Sequence, residues 1–177
     1  DDPLRTRLTT EDGRDLAFQE YFVREHHGVA VSAVRFVGAD EAVPAPGVID
    51  AIDTADVVCI APSNPVVSIG PLLAVPGVGA ALTSARDRTV AVSPIVGGAA
   101  LKGPADRLLR ELGHESTVVG IARWYAPFAS TLVVDQVDAA LAPLVEAQGI
   151  RCVVAPSVMV DLDAATALAR ACIGALP

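Results

Sequence analysis

Four short apolar runs set the terms on which this chain can fold. Residues 57–60 (VVCI), 90–92 (VAV), 131–134 (TLVV) and 152–154 (CVV) are continuous, rich in β-branched side chains, and each followed by a stretch long enough for a helix. Unbroken apolar strands suit a parallel sheet covered on both faces, and strands separated by helices imply βαβ units. The pattern predicts an α/β fold with a largely parallel sheet flanked by helices, residues 57–60 supplying a central strand. Helices are expected over 48–54, from about 68, over 105–112 before Gly113, over 137–148 before Gly149, and over 161–173, where Asp161 and Asp163 favour the helix start.

The rest of the chain is less regular. Residues 1–30 are the most polar part, with turn residues and charges over 6–15, and residues 16–24 read as a short helix or an extended segment with aromatics on one side. Residues 31–37 alternate as a half-exposed strand does, and Pro44, Pro46 and Gly47 mark a break. With 52% apolar and 19% charged residues the chain folds rather than stays disordered. A net charge of −8 argues against nucleic acid as a partner, yet permits a small phosphate ligand held by backbone N–H groups and local cations. No stretch approaches the ~20 apolar residues of a membrane span. No signal peptide is visible, and Asp1, Asp2 and Pro3 read as the interior of a longer, cytoplasmic protein. Cys59, Cys152 and Cys172 have no metal-ligand spacing and are expected to be buried and reduced.

In an open parallel sheet, ligands bind beyond the carboxyl ends of the strands. Two loops have that position. Residues 61–71 (APSNPVVSIGP) offer the side chains of Ser63, Asn64 and Ser68, with Gly70 and Pro71 at or just inside a helix start, where unpaired N–H groups attract anions. The same residues also suit a plain strand-to-helix turn capped by Ser and Asn. Residues 93–106 (SPIVGGAALKGPAD) combine Gly97 and Gly98, which allow close approach, with Lys102, the only Lys in the chain. Lys102 is either a point charge for a phosphate or a solvated surface group, and Asp106 either bonds a nucleobase edge or caps a helix. His26 and His27 are adjacent and read as solvated. Trp124 reads as a loop anchor. No catalytic residue can be assigned.

Residues 18–24 (FQEYFVR), 61–77 (APSNPVVSIGPLLAVPG), 92–98 (VSPIVGG) and 102–106 (KGPAD), in this order and over nearly the whole chain, resemble the 2-phospholactate transferase family of coenzyme F420 biosynthesis. High Ala, Val and Arg content with one Lys also resembles GC-rich actinobacterial proteins. The resemblance implies a Rossmann-like, usually dimeric enzyme, residues 48–177 being its nucleotide-binding part and residues 1–47 a variable segment. It implies transfer of a phospholactyl group, or in actinobacteria a phosphoenolpyruvyl group, from a GDP-activated donor to the ribityl hydroxyl of the deazaflavin Fo, with GMP leaving and Mg²⁺ assisting. Ser63, Asn64, Ser68 and Gly70 are then expected on the donor diphosphate, and Ser93, Gly97, Gly98 and Lys102 on the nucleotide or donor. Phe18, Glu20, Tyr21 and Arg24 are expected to border the acceptor or a dimer contact. Family members open with a glycine-rich strand–turn–helix and acidic metal ligands that match nothing here. The Mg²⁺ ligands are therefore expected outside this chain, and the chain alone is not expected to turn over. Two other readings compete: a nucleotide-sugar-binding regulator of the same superfold, and a structural half whose loops bind nothing once separated from the other half.

Overall fold

The computed structural model describes residues 2–176. Its first sheet is antiparallel: β1 (Arg5–Thr10), β2 (Asp15–Ala17) and β3 (Val31–Val37), in the order β2-β1-β3. The expected strand over 31–37 is present. Residues 6–15, expected as turns and charges, are instead mostly strand. The reason is that β1 alternates through Thr and Arg rather than through aliphatic residues, turning Leu8 and Thr10 inward. On its other face Arg7 and Arg35 both reach Asp15, at 2.6 and 2.7 Å, so charge joins all three strands. The segment after β2 is a single π-helical turn, Glu20–Arg24.

The rest of the chain is α/β, as expected. In order come α1 (Val48–Thr54), β4 (Val58–Ile60), a π-helical turn Pro65–Ile69 running into α2 (Gly70–Ala74), α3 (Val78–Ser84) and β5 (Thr89–Val92). A small hairpin follows, β6 (Ile95–Val96) and β7 (Ala99–Ala100), then α4 (Ala105–Glu111), α5 (Val118–Tyr125) and β8 (Thr131–Val134). A 3₁₀ turn, Gln136–Leu141, leads to α6 (Ala142–Glu146), β9 (Arg151–Val154) and α7 (Leu162–Ile173). Strands β4, β5, β8 and β9 lie side by side in that order, all parallel.

Register decides which side chains share a layer. Ala91 pairs with Leu132, and both meet Ile121, Tyr125 and Val145 in one cluster. Val92 pairs with Val133, and with Val90 these face Leu168 and Cys172 of α7 on the opposite side. A third cluster, of Leu8, Leu16, Tyr21 and Val31, closes on Leu108 of α4, so the antiparallel sheet packs on the parallel one through α4. No single helix among the described residues is long and apolar enough to cross a membrane.

Several expectations are corrected. Strand β4 lies at an edge and not in the centre, which leaves Cys59 exposed, while Cys152 is half-buried and Cys172 buried. Burial, with Glu146 adding to it, pushes the Cys152 thiol up to about 11. The helical run after β4 starts at Pro65 rather than near Ser68, because Pro fits the first helical position and Asn64 caps it. The expected helix over 137–148 is a 3₁₀ turn followed by α6, which starts around Pro143, a residue with no N–H to donate. Trp124 lies within α5, a helix hidden in the sequence by the β-branched pair Val118–Val119 and by Gly120.

Gly120 is required by close packing. A Cβ there would overlap the Glu115 carbonyl oxygen, a backbone atom that cannot step aside as a side chain does. Gly120→Ala is expected to destabilise the fold by about 3 kcal/mol and to lower Tm by roughly 6–12 °C, read from thermal melts. A change of less than a degree would mean that α5 sits further from Glu115 than described.

Candidate functional site

The carboxyl ends of β4, β5 and β9 open into one cleft of about 1070 Å³, the position at which parallel sheets bind ligands. The loop after β4 supplies Ser63, Asn64 and Ser68, and the segment after β5 supplies Ser93, Val96, Lys102 and Gly103. Phe18, Gln19, Phe22 and Val23 form the facing wall. The three segments singled out in the sequence therefore meet. Phe22 closes on the segment after β5: a methyl at Gly103 would touch its Cε2 at 3.9 Å. Among the described residues, Lys102 is the only charged side chain in the lining, and it joins none of their ion pairs.

The individual roles differ from those expected. Asn64 Oδ1 accepts the N–H groups of Val66 and Val67, at 2.9 and 3.3 Å, while the Asn64 carbonyl takes those of Ser68 and Ile69. The first-turn donors are thus consumed, leaving the Asn64 amide NH₂ and the hydroxyls of Ser63 and Ser68 to face the cleft. Gly70 lies outside the lining, inside the helical run, where an added Cβ would come within 2.9 Å of Phe36 Cζ. Packing, not anion binding, explains that glycine. Ser93 lines the cleft but is buried, its hydroxyl donating to the Ile95 carbonyl at 2.8 Å and accepting the Ile95 N–H at 3.1 Å.

Gly97 and Gly98 do not line the cleft. They form the two-residue turn of the β6–β7 hairpin with φ of 59° and 80°, the left-handed pair that such tight hairpins require. Asp106 is paired with Arg110 at 2.8 Å rather than capping α4. Burial would raise its pKa, but the pairing with Arg110 and backbone N–H groups at the helix start together hold it below the ordinary value.

In the aromatic segment, Phe18 stacks on Phe22 at 5.6 Å between ring centroids. Tyr21 is fully buried in the core, and burial, reinforced by Glu111, lifts its hydroxyl to about 12. It can border neither an acceptor nor a partner. Glu20 accepts the Ala17 N–H at 2.9 Å and pairs with Arg24 at 3.1 Å, outside the cleft lining. His26 is exposed and His27 half-buried, its ring 5.5 Å from that of Phe22; both hold left-handed φ, 46° and 45°.

A fourth wall of the cleft was missed: Ser157, Val158, Met159 and Val160, after β9. Its position at a strand end met the same rule as the other loops, but its apolar side chains resemble core. Also missed were Asp135 and Asp138, buried just past β8. Asp135 Oδ2 accepts the N–H and hydroxyl of Ser157 at 2.8 and 3.1 Å, and its Oδ1 accepts the Val137 N–H at 3.2 Å. Burial alone would raise the Asp135 pKa; these donors outweigh it and hold the carboxyl below its ordinary 3.8. Among the described residues, no group of three or more His, Cys, Asp or Glu side chains is arranged to hold a metal ion.

Two predictions test these roles. Asn64→Ala removes a helix cap and is expected to cost about 1 kcal/mol, a Tm loss of roughly 2–4 °C, whereas Asn64→Asp keeps the acceptor and the Tm. Equal melting of both variants would exclude the cap. Because the folded Asp135 carboxyl titrates below 3.8, its ionised form stabilises the fold above that pH. This stability is lost as pH falls through the lowered folded value. Asp135→Asn should therefore be weaker than wild type in urea at neutral pH, with the gap closing below pH 3.8; a gap independent of pH contradicts the assignment.

The profile of the family described as 2-phospho-L-lactate transferase CofD matches residues 1–172. The phosphoenolpyruvate transferase of Streptomyces griseus subsp. griseus is 47% identical over 174 residues, covering 96% of this chain and 55% of that protein. The phosphoenolpyruvate transferase of Mycolicibacterium smegmatis is 38% identical over 166 residues, 94% of this chain and 51% of its own. The chain thus spans about half the length of the relatives it matches. Among solved structures, a Bacillus halodurans protein shares the fold with a TM-score of 0.60 at 19% identity, over 96% of this chain and 58% of its own. A second structure from that organism, described as a UPF0052 family member, gives 0.59 at 17%, over 96% of this chain and 59% of its own. At such identities the likeness concerns the fold alone. On the profile match and the two actinobacterial relatives, this chain belongs to the 2-phospho-L-lactate transferase family.

Proposed function

We propose that the protein containing this chain transfers a phosphoenolpyruvyl or phospholactyl group from a GDP-activated donor to the ribityl hydroxyl of the deazaflavin Fo. The hydroxyl oxygen forms a new bond to the phosphorus that carries the organic acid, the bridge to the second phosphorus breaks, GMP leaves with the bonding electrons, and the hydroxyl proton is released to solvent. The observation that carries this reading is the cleft itself. Segments that carry the family resemblance wall it on three sides, and the one charged side chain among its described lining residues, Lys102, is a cation.

This chain's part is to bind and orient the donor. The Ser63 and Ser68 hydroxyls and the Asn64 amide donate to diphosphate oxygens, Lys102 offsets their charge, and the apolar wall of Phe18, Phe22 and Met159 flanks the ring-bearing end of a ligand. Mg²⁺, when bound, would add to the neutralisation of the diphosphate. In the same reading the protein works as a homodimer in the cytoplasm, and this chain without the remainder of the enzyme does not turn over.

Calorimetry of the full-length protein with GDP, UDP and a UDP-sugar tests the reading. GDP is expected to bind most tightly, and Lys102→Ala to weaken it about tenfold, equivalent to about 1.4 kcal/mol, at unchanged Tm, since Lys102 is exposed. Preference for the UDP-sugar would favour a nucleotide-sugar-binding regulator. An unchanged GDP affinity in the variant would remove Lys102 from the site.

A further inference from the structure

Asp135 and Asp138 are only 7% and 5% exposed, and neither lines the cleft. Capping the 3₁₀ turn after β8 would need one oxygen of Asp135 and the Val137 N–H. Its other oxygen instead takes both the N–H and the hydroxyl of Ser157, 22 residues away along the chain. Asp138 reaches 41 residues back, accepting the Gly97 N–H at 2.9 Å. Ser157 begins the missed wall of the cleft, and Gly97 is the first turn residue of the hairpin that leads into Leu101 and Lys102.

Ile95 anchors the base of the hairpin in the core, but the outer parts of both walls are exposed. Met159 is 51% exposed, Val160 79% and Leu101 57%, so apolar burial does not fix the tips of either segment. An N–H bonded to a carboxylate is about twice as strong as one bonded to a neutral acceptor, and both carboxylates lie where water competes little. A Cβ at Gly97 would meet Val137 Cγ2 only at ordinary contact distance, 3.6 Å, so it is the left-handed φ of 59° that calls for glycine at this anchor.

We infer that Asp135 and Asp138 are positioning residues for the cleft, Asp135 clamping the loop from Ser157 to Val160 and Asp138 the β6–β7 hairpin, so that the two walls stand at the separation the nucleotide needs. The inference rests on the nucleotide reading given above. Both carboxylates act from one four-residue span at the end of β8, the strand between the two that lead into these walls. They direct their charge into the protein's own N–H groups and away from an anionic ligand.

The test uses the full-length protein and its Asp135→Asn, Asp138→Asn and Ser157→Ala variants. GDP is titrated by calorimetry well below each variant's Tm, and amide exchange is followed by mass spectrometry. The Kd for GDP is expected to rise roughly ten- to a hundredfold in the two Asp variants and by less in Ser157→Ala. Exchange should speed up over 156–160 in Asp135→Asn and over 95–98 in Asp138→Asn, while β8 and α7 keep their wild-type rates. A lower Tm with faster exchange throughout the sheet and an unchanged Kd would mean ordinary structural capping and overturn the inference. Should Asp135→Asn fail to fold, Ser157→Ala, which keeps the carboxylate and both its N–H donors, decides the case: an unchanged Kd overturns the clamp on that wall. Wild type that binds GDP alongside variants that bind it equally well overturns this inference alone. Wild type that does not bind GDP overturns the nucleotide reading and the inference together.

Discussion

Strands β5 and β8 are buried along their whole length, and the rest of the molecule is arranged around that fact. A strand covered on both faces must satisfy its backbone within the sheet, so β4 and β9 flank the pair in parallel and their carboxyl ends come out along one edge. The loops that follow have nowhere else to go, and they meet. Segments far apart in sequence, around Ser63, Lys102 and Met159, become walls of one cleft because two central strands needed neighbours.

Charge is distributed to suit that cleft. The chain carries −8 overall, yet no carboxylate of the described residues lines the cleft. Two buried acids, Asp135 and Asp138, are occupied by donors from the cleft walls themselves. The lining mixes hydroxyl, amide and ammonium groups with aromatic and aliphatic side chains, the composition usual for a small-molecule site.

Much of the fold was legible because apolar runs such as residues 90–92 and 131–134 have few alternatives to a buried strand. Strand β1 was not, since Thr and Arg carry its alternation, and α5 was not, since Val118, Val119 and Gly120 have weak helix propensity. The cleft's segments were legible, but the work of single residues within them was less so. Asn64, Gly70 and Ser93 have the composition of ligand contacts, yet they are taken up in whole or in part by a cap, a close packing contact and a tight turn. The Asn64–Pro65 pair was itself a helix-start signal. Asp135 and Asp138 gave no local sign, because an acid after a strand looks like a solvated cap and their partners lie 22 and 41 residues away.

Gly70 shows how a segment with the composition of a ligand loop can hold a residue whose contacts are with the protein itself. The Phe36 ring of β3 sits where a Gly70 side chain would be, so the helical run after β4 and the antiparallel sheet meet at that contact. The same sheet packs through Leu8 and Val31 on Leu108 of α4, and the turn that follows β2 delivers Phe18 and Phe22 to the cleft. The helical run thus works on two sides: Ser63 and Ser68 face the cleft, while Gly70 fixes how closely the antiparallel sheet approaches. A side chain at Gly70 would displace Phe36 of β3, and so act first on the antiparallel sheet rather than on a residue that lines the cleft.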